Sequence, residues 1–185
     1  MRPDKRIAVP NVTSVDVNKQ SIQHITQGEF AVGDTDDEVI STILGSCVAA
    51  CLWDPVAGVG GMNHMLLPDG DNGRGNGVNA MELLINAIIH KGGAKSRLQA
   101  KLFGGSQMNA NGSGIGKRNS EFTLSFLEAE NIECESQSLG GEQARRVQFW
   151  PATGRARQKL VGRIDPVVIE PTPDVETDAF EIELF

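Results

Sequence analysis

Apolar residues fall in short blocks separated by glycine-rich or polar breaks, and most blocks are too short for helices. Glu38–Leu44 is β-branched and reads as a strand running into Gly45-Ser46. Gly28–Val32, Val48–Trp53, Met62–Leu67, Leu98–Phe103, Ile132–Ser138, Arg146–Trp150 and Arg155–Val161 read as further strands, with turns at Gly140-Gly141 and Thr153-Gly154. Only two segments carry helical spacing. In the first, Met81, Leu84, Ile85 and Ile88 line one face; Asn79 with Glu82 resembles a capping box, and Lys91 with Gly92-Gly93 supplies the stop. The second is expected to begin after Asn119, turn Phe122, Phe126 and Leu127 inward, and end near Asn131. Many strands with two helices predict an α+β fold.

The glycine-rich stretch 70–77 sits between a strand and a helix, as phosphate-binding loops do. It lacks the Lys-Ser/Thr ending of a P-loop and the glycine spacing of a dinucleotide fold, and it holds the acidic Asp71, so it reads as a flexible rim. Residues 1–22 are polar and without period, a mobile lead-in; 23–162 form one domain; 163–185 form an acidic, proline-containing tail in which Ala179–Phe185 is a candidate edge strand.

Composition narrows the class. A chain of 185 residues that is 39% hydrophobic supports one good core. The net charge of −7 comes wholly from seven acidic residues between Ile164 and Phe185, so the body is neutral and offers no basic face for nucleic acid. Three cysteines (Cys47, Cys51 and Cys134) make no disulfide framework and point to a reducing compartment. No apolar run reaches the roughly 18 residues of a membrane span, and Met1–Arg6 does not open like a signal peptide, so a cytoplasmic protein is expected.

The candidate chemistry lies around residues 41–64. Cys47 follows a Gly-Ser turn, and His64 stands in the next strand. If Asp54-Pro55-Val56-Ala57 closes an antiparallel hairpin, Cys47 lies directly opposite His64, on one face. A thiol beside a base is the least that covalent cysteine catalysis requires. A third group would orient the imidazole, and Ser41 and Thr42 lie on the incoming strand. Cys51 and Cys134 read as packing residues, His24 and His90 as surface residues. No second Cys or His pair stands at zinc spacing, so no metal site is expected.

Leu44-Gly45-Ser46-Cys47-Val48-Ala49, Gly61-Met62-Asn63-His64-Met65-Leu66-Leu67-Pro68 and Ala100-Lys101-Leu102-Phe103-Gly104-Gly105-Ser106 resemble the CheD family of chemoreceptor glutamine deamidases. So do Ile115-Gly116-Lys117-Arg118-Asn119, Gly140-Gly141, Arg145-Arg146-Val147 and Thr153-Gly154, in order from about Gly28 to Val161. The resemblance implies a three-layer α/β/β domain, stacked β-sheets with the two main helices on one side, similar to the catalytic domains of deamidating bacterial toxins. It implies hydrolysis of receptor glutamines through a cysteine acyl-enzyme, without metal or cofactor, with Cys47 as nucleophile and His64 as base. The family has Thr six residues before the cysteine; here Ser41 holds that position with Thr42 beside it, so Ser41 is expected to matter more, with the orienting role open between them. Implied partners are chemoreceptor cytoplasmic domains and a phosphatase of the CheC type. Two readings compete with the deamidase: a receptor- or phosphatase-docking module, and a receptor methylesterase using the same acyl-enzyme route.

Overall fold

A computed structural model describes residues 20–67, 73–107 and 114–161. In chain order the elements are β1 (Ser21–His24), β2 (Phe30–Gly33), β3 (Glu38–Leu44), β4 (Val48–Asp54), β5 (Val59–Asn63), α1 (Gly73–His90), β6 (Gln99–Gly104), α2 (Ile115–Ala129), β7 (Glu133–Leu139), β8 (Ala144–Trp150) and β9 (Arg155–Val161), with a single 3-10 turn at Lys95–Arg97. The strands form two mixed sheets, one ordered β1-β3-β8-β9 and one ordered β2-β5-β4-β6-β7. None of the helices among the described residues is long and apolar enough to cross a membrane.

Side-chain alternation sorts these strands into layers. From β3, Ile40 and Leu44 face the five-stranded sheet and meet Ala49, Cys51, Trp53, Met62 and Phe103, with Val147 and Phe149 of β8 beside them. The other face of the five-stranded sheet presents Ala50, Leu52, Val59, Ala100 and Leu102 to Met81, Leu84, Ile85 and Ile88 of α1 and to Phe126 and Leu127 of α2. The order is therefore sheet, sheet, helices. The central strand β4 is buried at every position, because both of its faces are covered.

Several local expectations are corrected. The β4–β5 hairpin pairs Asp54 with Val59 and not with Ala57. The Asp54 carboxylate takes the N–H groups of Val56 and Ala57 at 2.9 and 3.1 Å, and the Gly58 N–H reaches the Asp54 carbonyl at 2.9 Å, so the loop holds four residues and every later partner shifts by two. An even shift preserves the face each side chain occupies. The stretch 73–77, read as loop, is helix, and Asn79 lies well inside α1 without a capping role. There Gly77 lies flat against Leu67 and the Phe122 ring with no room for a Cβ, and this packing outweighs poor helix propensity. Helix α2 starts at Ile115 and not after Asn119. Ser21 and Ile22 pair in parallel with β3, so strand structure reaches into the supposed lead-in. The tail with its candidate edge strand lies outside the described residues.

Asp54 also anchors the hairpin to the rest of the fold. Its buried carboxylate accepts the Ala94 N–H at 2.9 Å and Arg97 Nη2 at 2.6 Å. Burial alone would raise its pKa; the Arg97 guanidinium and the N–H groups of Ala94, Ala57 and Val56 overcome that and hold it far below the usual carboxylate range. Its contribution to stability is therefore complete above about pH 4, the unfolded value, and is withdrawn as pH falls further. Asp54→Ala is expected to cost about 3 kcal/mol, the low end for a broken buried pair, because the Arg97 side chain keeps 41% exposure and rehydrates. Urea unfolding at neutral pH measures this as a lower midpoint at unchanged slope, and the deficit shrinks as the pH is lowered toward acid.

Candidate active site

The site begins with a hydroxyl that reaches between the sheets. Thr42 lies on β3 in phase with Ile40 and Leu44, so its side chain points at the five-stranded sheet. Its Oγ1 lies 2.8 Å from the Ile25 carbonyl oxygen and 2.7 Å from His64 Nδ1. A carbonyl only accepts, so the single hydroxyl proton goes to Ile25, and toward His64 the oxygen must accept. The proton on the ring therefore sits at Nδ1, and Nε2 is left as the basic nitrogen. Ser41, one residue earlier, faces the other way and donates to the Val147 carbonyl at 3.1 Å. The preference for Ser41 is thus corrected: adjacent strand residues cannot share a face, and it is Thr42 that meets the histidine.

His64 is fixed along its backbone as well. Its N–H donates to the Glu29 carbonyl at 3.0 Å, and its own carbonyl accepts the Gly28 N–H at 2.8 Å. Just beyond it, Met65 exchanges both backbone bonds with Val48, at 2.8 and 2.9 Å. Cys47 and His64 each precede one member of that pair, so they are diagonal neighbours on one face and not directly opposed. Such diagonals are about 7–8 Å apart, within reach of long side chains. Asn63, pointing to the other face, accepts the Ala50 N–H through Oδ1 at 2.9 Å and fills the ladder where it opens.

Cys47 ends the crossover from β3 in one sheet to β4 in the other, and all three carbonyls of that crossover are captured. Gly45 accepts the Ser106 N–H at 2.9 Å and Cys47 accepts the Gly105 N–H at 2.7 Å. Ser46 accepts Asn119 Nδ2 at 2.8 Å. Asn119 is fully buried in α2, and its Oδ1 takes the Leu67 N–H at 2.9 Å, so one side chain ties the crossover to the segment after His64. A side chain at Gly104 would collide with the Cys47 carbonyl, and one at Gly105 with Ser120, and both glycines have positive φ. Among the described residues, no oxygen accepts the Cys47 N–H. That donor lies beside its own sulfur, where an oxyanion would form on attack.

The buried Arg145 supports the loop from behind. It bonds Ser106 Oγ at 2.9 Å, Ser138 Oγ at 3.0 Å, and the Ser138 and Gly140 carbonyls, while Ser106 Oγ donates to the Gln143 carbonyl at 2.7 Å. Sequence reasoning missed both Asn119 and Arg145 as site supports. For Asn119 a signal existed: it shares the apolar phase of Thr123, Phe126 and Leu127, an odd place for an amide.

Electrostatically the surroundings favour the neutral form of each group. Burial pushes the Cys47 thiol up, eased a little by its own N–H, and burial pushes His64 down, partly offset by the Glu29 carboxylate. A cleft of about 390 Å³ opens beside His64, lined by Gln27, Phe30, Asn79 and Leu83 among others. A second depression of about 260 Å³ lies toward the other sheet, lined by His24, Ile43, Thr42 and Arg146. Cys51 is fully buried in the inter-sheet core, and Cys134 is half-buried on β7.

Comparison with known proteins matches residues 66–160 to the family described as CheD chemotactic sensory transduction. The chain is 48% identical over 151 residues to a probable chemoreceptor glutamine deamidase CheD of Cereibacter sphaeroides, covering 80% of this chain and 76% of that protein. It is 46% identical over 172 residues to a protein of the same name in Agrobacterium fabrum, covering 88% of this chain and 95% of the other. Among solved structures, the Bacillus licheniformis hypothetical protein YfiH aligns with a TM-score of 0.42 at 14% identity, over 65% of this chain and 60% of that one, a likeness too loose to bear on the site.

The burial pattern predicts thiol reactivity. Iodoacetamide, which reacts with thiolate, is expected to modify Cys47 in the folded protein and to spare Cys51. Because the Cys47 thiol titrates above its ordinary value of 9.0, its alkylation rate should still be climbing at that pH. Peptide mapping by mass spectrometry across a pH series checks both; a Cys47 rate already level near neutrality would mean a standing thiolate.

Proposed function

Because the chain belongs to the CheD family, we propose that it hydrolyses the side-chain carboxamide of selected chemoreceptor glutamines to a carboxylate, through an acyl-enzyme on Cys47. The single observation that carries the mechanism is the Thr42 hydroxyl bonded at once to the Ile25 carbonyl and to His64 Nδ1, which leaves Nε2 basic on the face that Cys47 shares.

The reaction runs as follows on these groups. His64 Nε2 takes the thiol proton as Cys47 Sγ attacks the glutamine Cδ, and the developing oxyanion accepts the Cys47 N–H. The imidazolium gives its proton to the departing ammonia, leaving a thioester. Water, deprotonated by His64, attacks that thioester; the C–S bond breaks, the thiol regains a proton, and glutamate remains. Burial favours the neutral form of both groups, so the thiol proton passes to His64 in the attack step of this proposal. The receptor gains one negative charge per event. The reaction belongs in the cytoplasm, with receptor cytoplasmic segments as substrate, and a CheC-type phosphatase is the proposed protein partner; the family resemblance is what supports both.

Mass spectrometry of receptor segments incubated with the protein tests the function: defined glutamines should become glutamates, and Cys47→Ala should abolish the change. Unaltered modification by that variant would sink the nucleophile assignment. Thr42→Val is expected to lower kcat by about 10²-fold, the low end of what positioned proton transfer contributes, with Ser41→Ala much milder. The reverse ranking in steady-state assays would return the orienting role to Ser41. The acid limb of kcat/KM should have its midpoint below 6.5, the ordinary imidazole value, since burial disfavours the imidazolium. Glu29→Gln, by removing the offsetting carboxylate, should move that limb to still lower pH.

A further inference from the structure

Residues Thr26–Glu29 form a tight turn whose tip residue, Gln27, has no role in the mechanism above. The Glu29 N–H returns to the Thr26 carbonyl at 3.0 Å, and the Glu29 carboxylate clamps the Thr26 N–H and hydroxyl at 2.7 and 2.9 Å. Gly28 takes φ +86° at the third position, the conformation a type II turn demands there. The turn is sewn to the His64 backbone on both sides, through Gly28 N–H and the Glu29 carbonyl. Gln27 stands at its tip, and its Oε1 lies 3.9 Å from Cys47 Sγ as the acceptor of the thiol. The protein thus holds, on a rigid turn and against its own nucleophile, the same functional group that its reaction consumes.

We propose that Gln27 is an intramolecular substrate: Cys47 deamidates it, making position 27 a site of self-modification. The inference rests on the deamidase reading given above. The turn supplies what a free glutamine lacks, a carboxamide already confined beside the sulfur, and such confinement raises the effective concentration of the reacting partner. The atoms balance as for the receptor. The Cys47 proton passes to His64, Sγ bonds to the Gln27 Cδ, and the Cδ–Nε2 bond breaks as ammonia leaves with the proton from His64. Water then supplies the new carboxylate oxygen, the Cδ–Sγ bond breaks, and the thiol is restored. No oxidant, metal or cofactor takes part. The product is a negative charge facing the thiol, where it opposes thiolate formation.

The test is a time course of the full-length protein, followed by peptide mass spectrometry and run with receptor segments in the same tube. The expected result is conversion of the amide at position 27 to a carboxylate at a rate independent of protein concentration. Gln20 and Gln23 serve as internal controls and should stay intact, and Cys47→Ala and Cys47→Ser should both keep the amide. Conversion at an equal rate in those variants would mark it as spontaneous, and a rate proportional to protein concentration would mark it as a reaction between copies; either overturns the proposal. An intact amide at position 27 while receptor glutamines are consumed overturns it too, and leaves the deamidase reading standing. If neither is modified, the deamidase reading itself falls, and this inference with it.

Discussion

A threonine hydroxyl owns one proton, and Thr42 gives it to the Ile25 carbonyl. The orientation of His64 follows from that expenditure, because the oxygen can then only accept from Nδ1. The bond also spans two layers: Thr42 belongs to the four-stranded sheet and His64 follows β5 of the five-stranded sheet. Its length of 2.7 Å is set by what separates the layers, namely Leu44, Phe149, Cys51, Met62 and the Trp53–Phe149 ring pair at 6.3 Å. Closely packed interiors do not yield gradually. The inter-sheet core is therefore part of the proposed catalytic apparatus, although Leu44, Phe149, Cys51 and Met62 are fully buried.

The crossover from β3 to β4 solves a related problem. Thr42 and Cys47 are close in sequence but lie in different sheets, so the chain must change layers between them. An irregular segment at that depth needs partners for its carbonyls. Gly105, Ser106 and Asn119 supply them for Cys47, Gly45 and Ser46 in turn. With all three carbonyls taken, the Cys47 N–H has no oxygen partner among the described residues, and this is the donor that the proposed mechanism assigns to the oxyanion. This ordering explains why Gly104 must be glycine, since the backbone there approaches the Cys47 carbonyl too closely for any side chain, while Gly105 is crowded by Ser120 and the Gly116 carbonyl of α2.

Much of this was legible in the sequence, because strand parity and helical period are local properties. The α+β class and both helices follow from local period, while the layer order was implied by the family resemblance; the common face of Cys47 and His64, argued from an assumed hairpin, survived a wrong register because the error was even. What was not legible depended on contacts distant in sequence. The two extra loop residues arise because Asp54 engages Ala94 and Arg97 as well as its own turn, a demand that no local turn rule registers. The early start of α1 depends on Gly77 meeting Phe122, far along the chain. Ser41 matched the family position, yet the side of β3 on which a hydroxyl emerges is decided by the sheet, where Ile40 and Leu44 were already committed inward. Asn119 was legible as a helix-start residue by type and misleading for that reason, since an amide caps and clamps equally well.

The cost of this construction is visible at Arg145. A guanidinium buried to 3% exposure normally finds a carboxylate, but among the described residues every partner is a neutral oxygen, and Nε has none. Desolvating such a charge costs several kcal/mol, and neutral acceptors return only part of it. What the arrangement gains is reach. One planar fork joins Ser106 on the segment after β6 to Ser138 and Gly140 at the end of β7, and Ser106 in turn holds Gly45 at the head of the crossover. A lysine, a point donor on a flexible stem, cannot bridge those two segments in the same fixed geometry. A carboxylate would satisfy the arginine more cheaply but would take donors away from the carbonyls that end β7. The fold thus accepts an under-compensated buried charge where rigidity of the Cys47 loop is needed, and stability is given up at the place where geometry matters most.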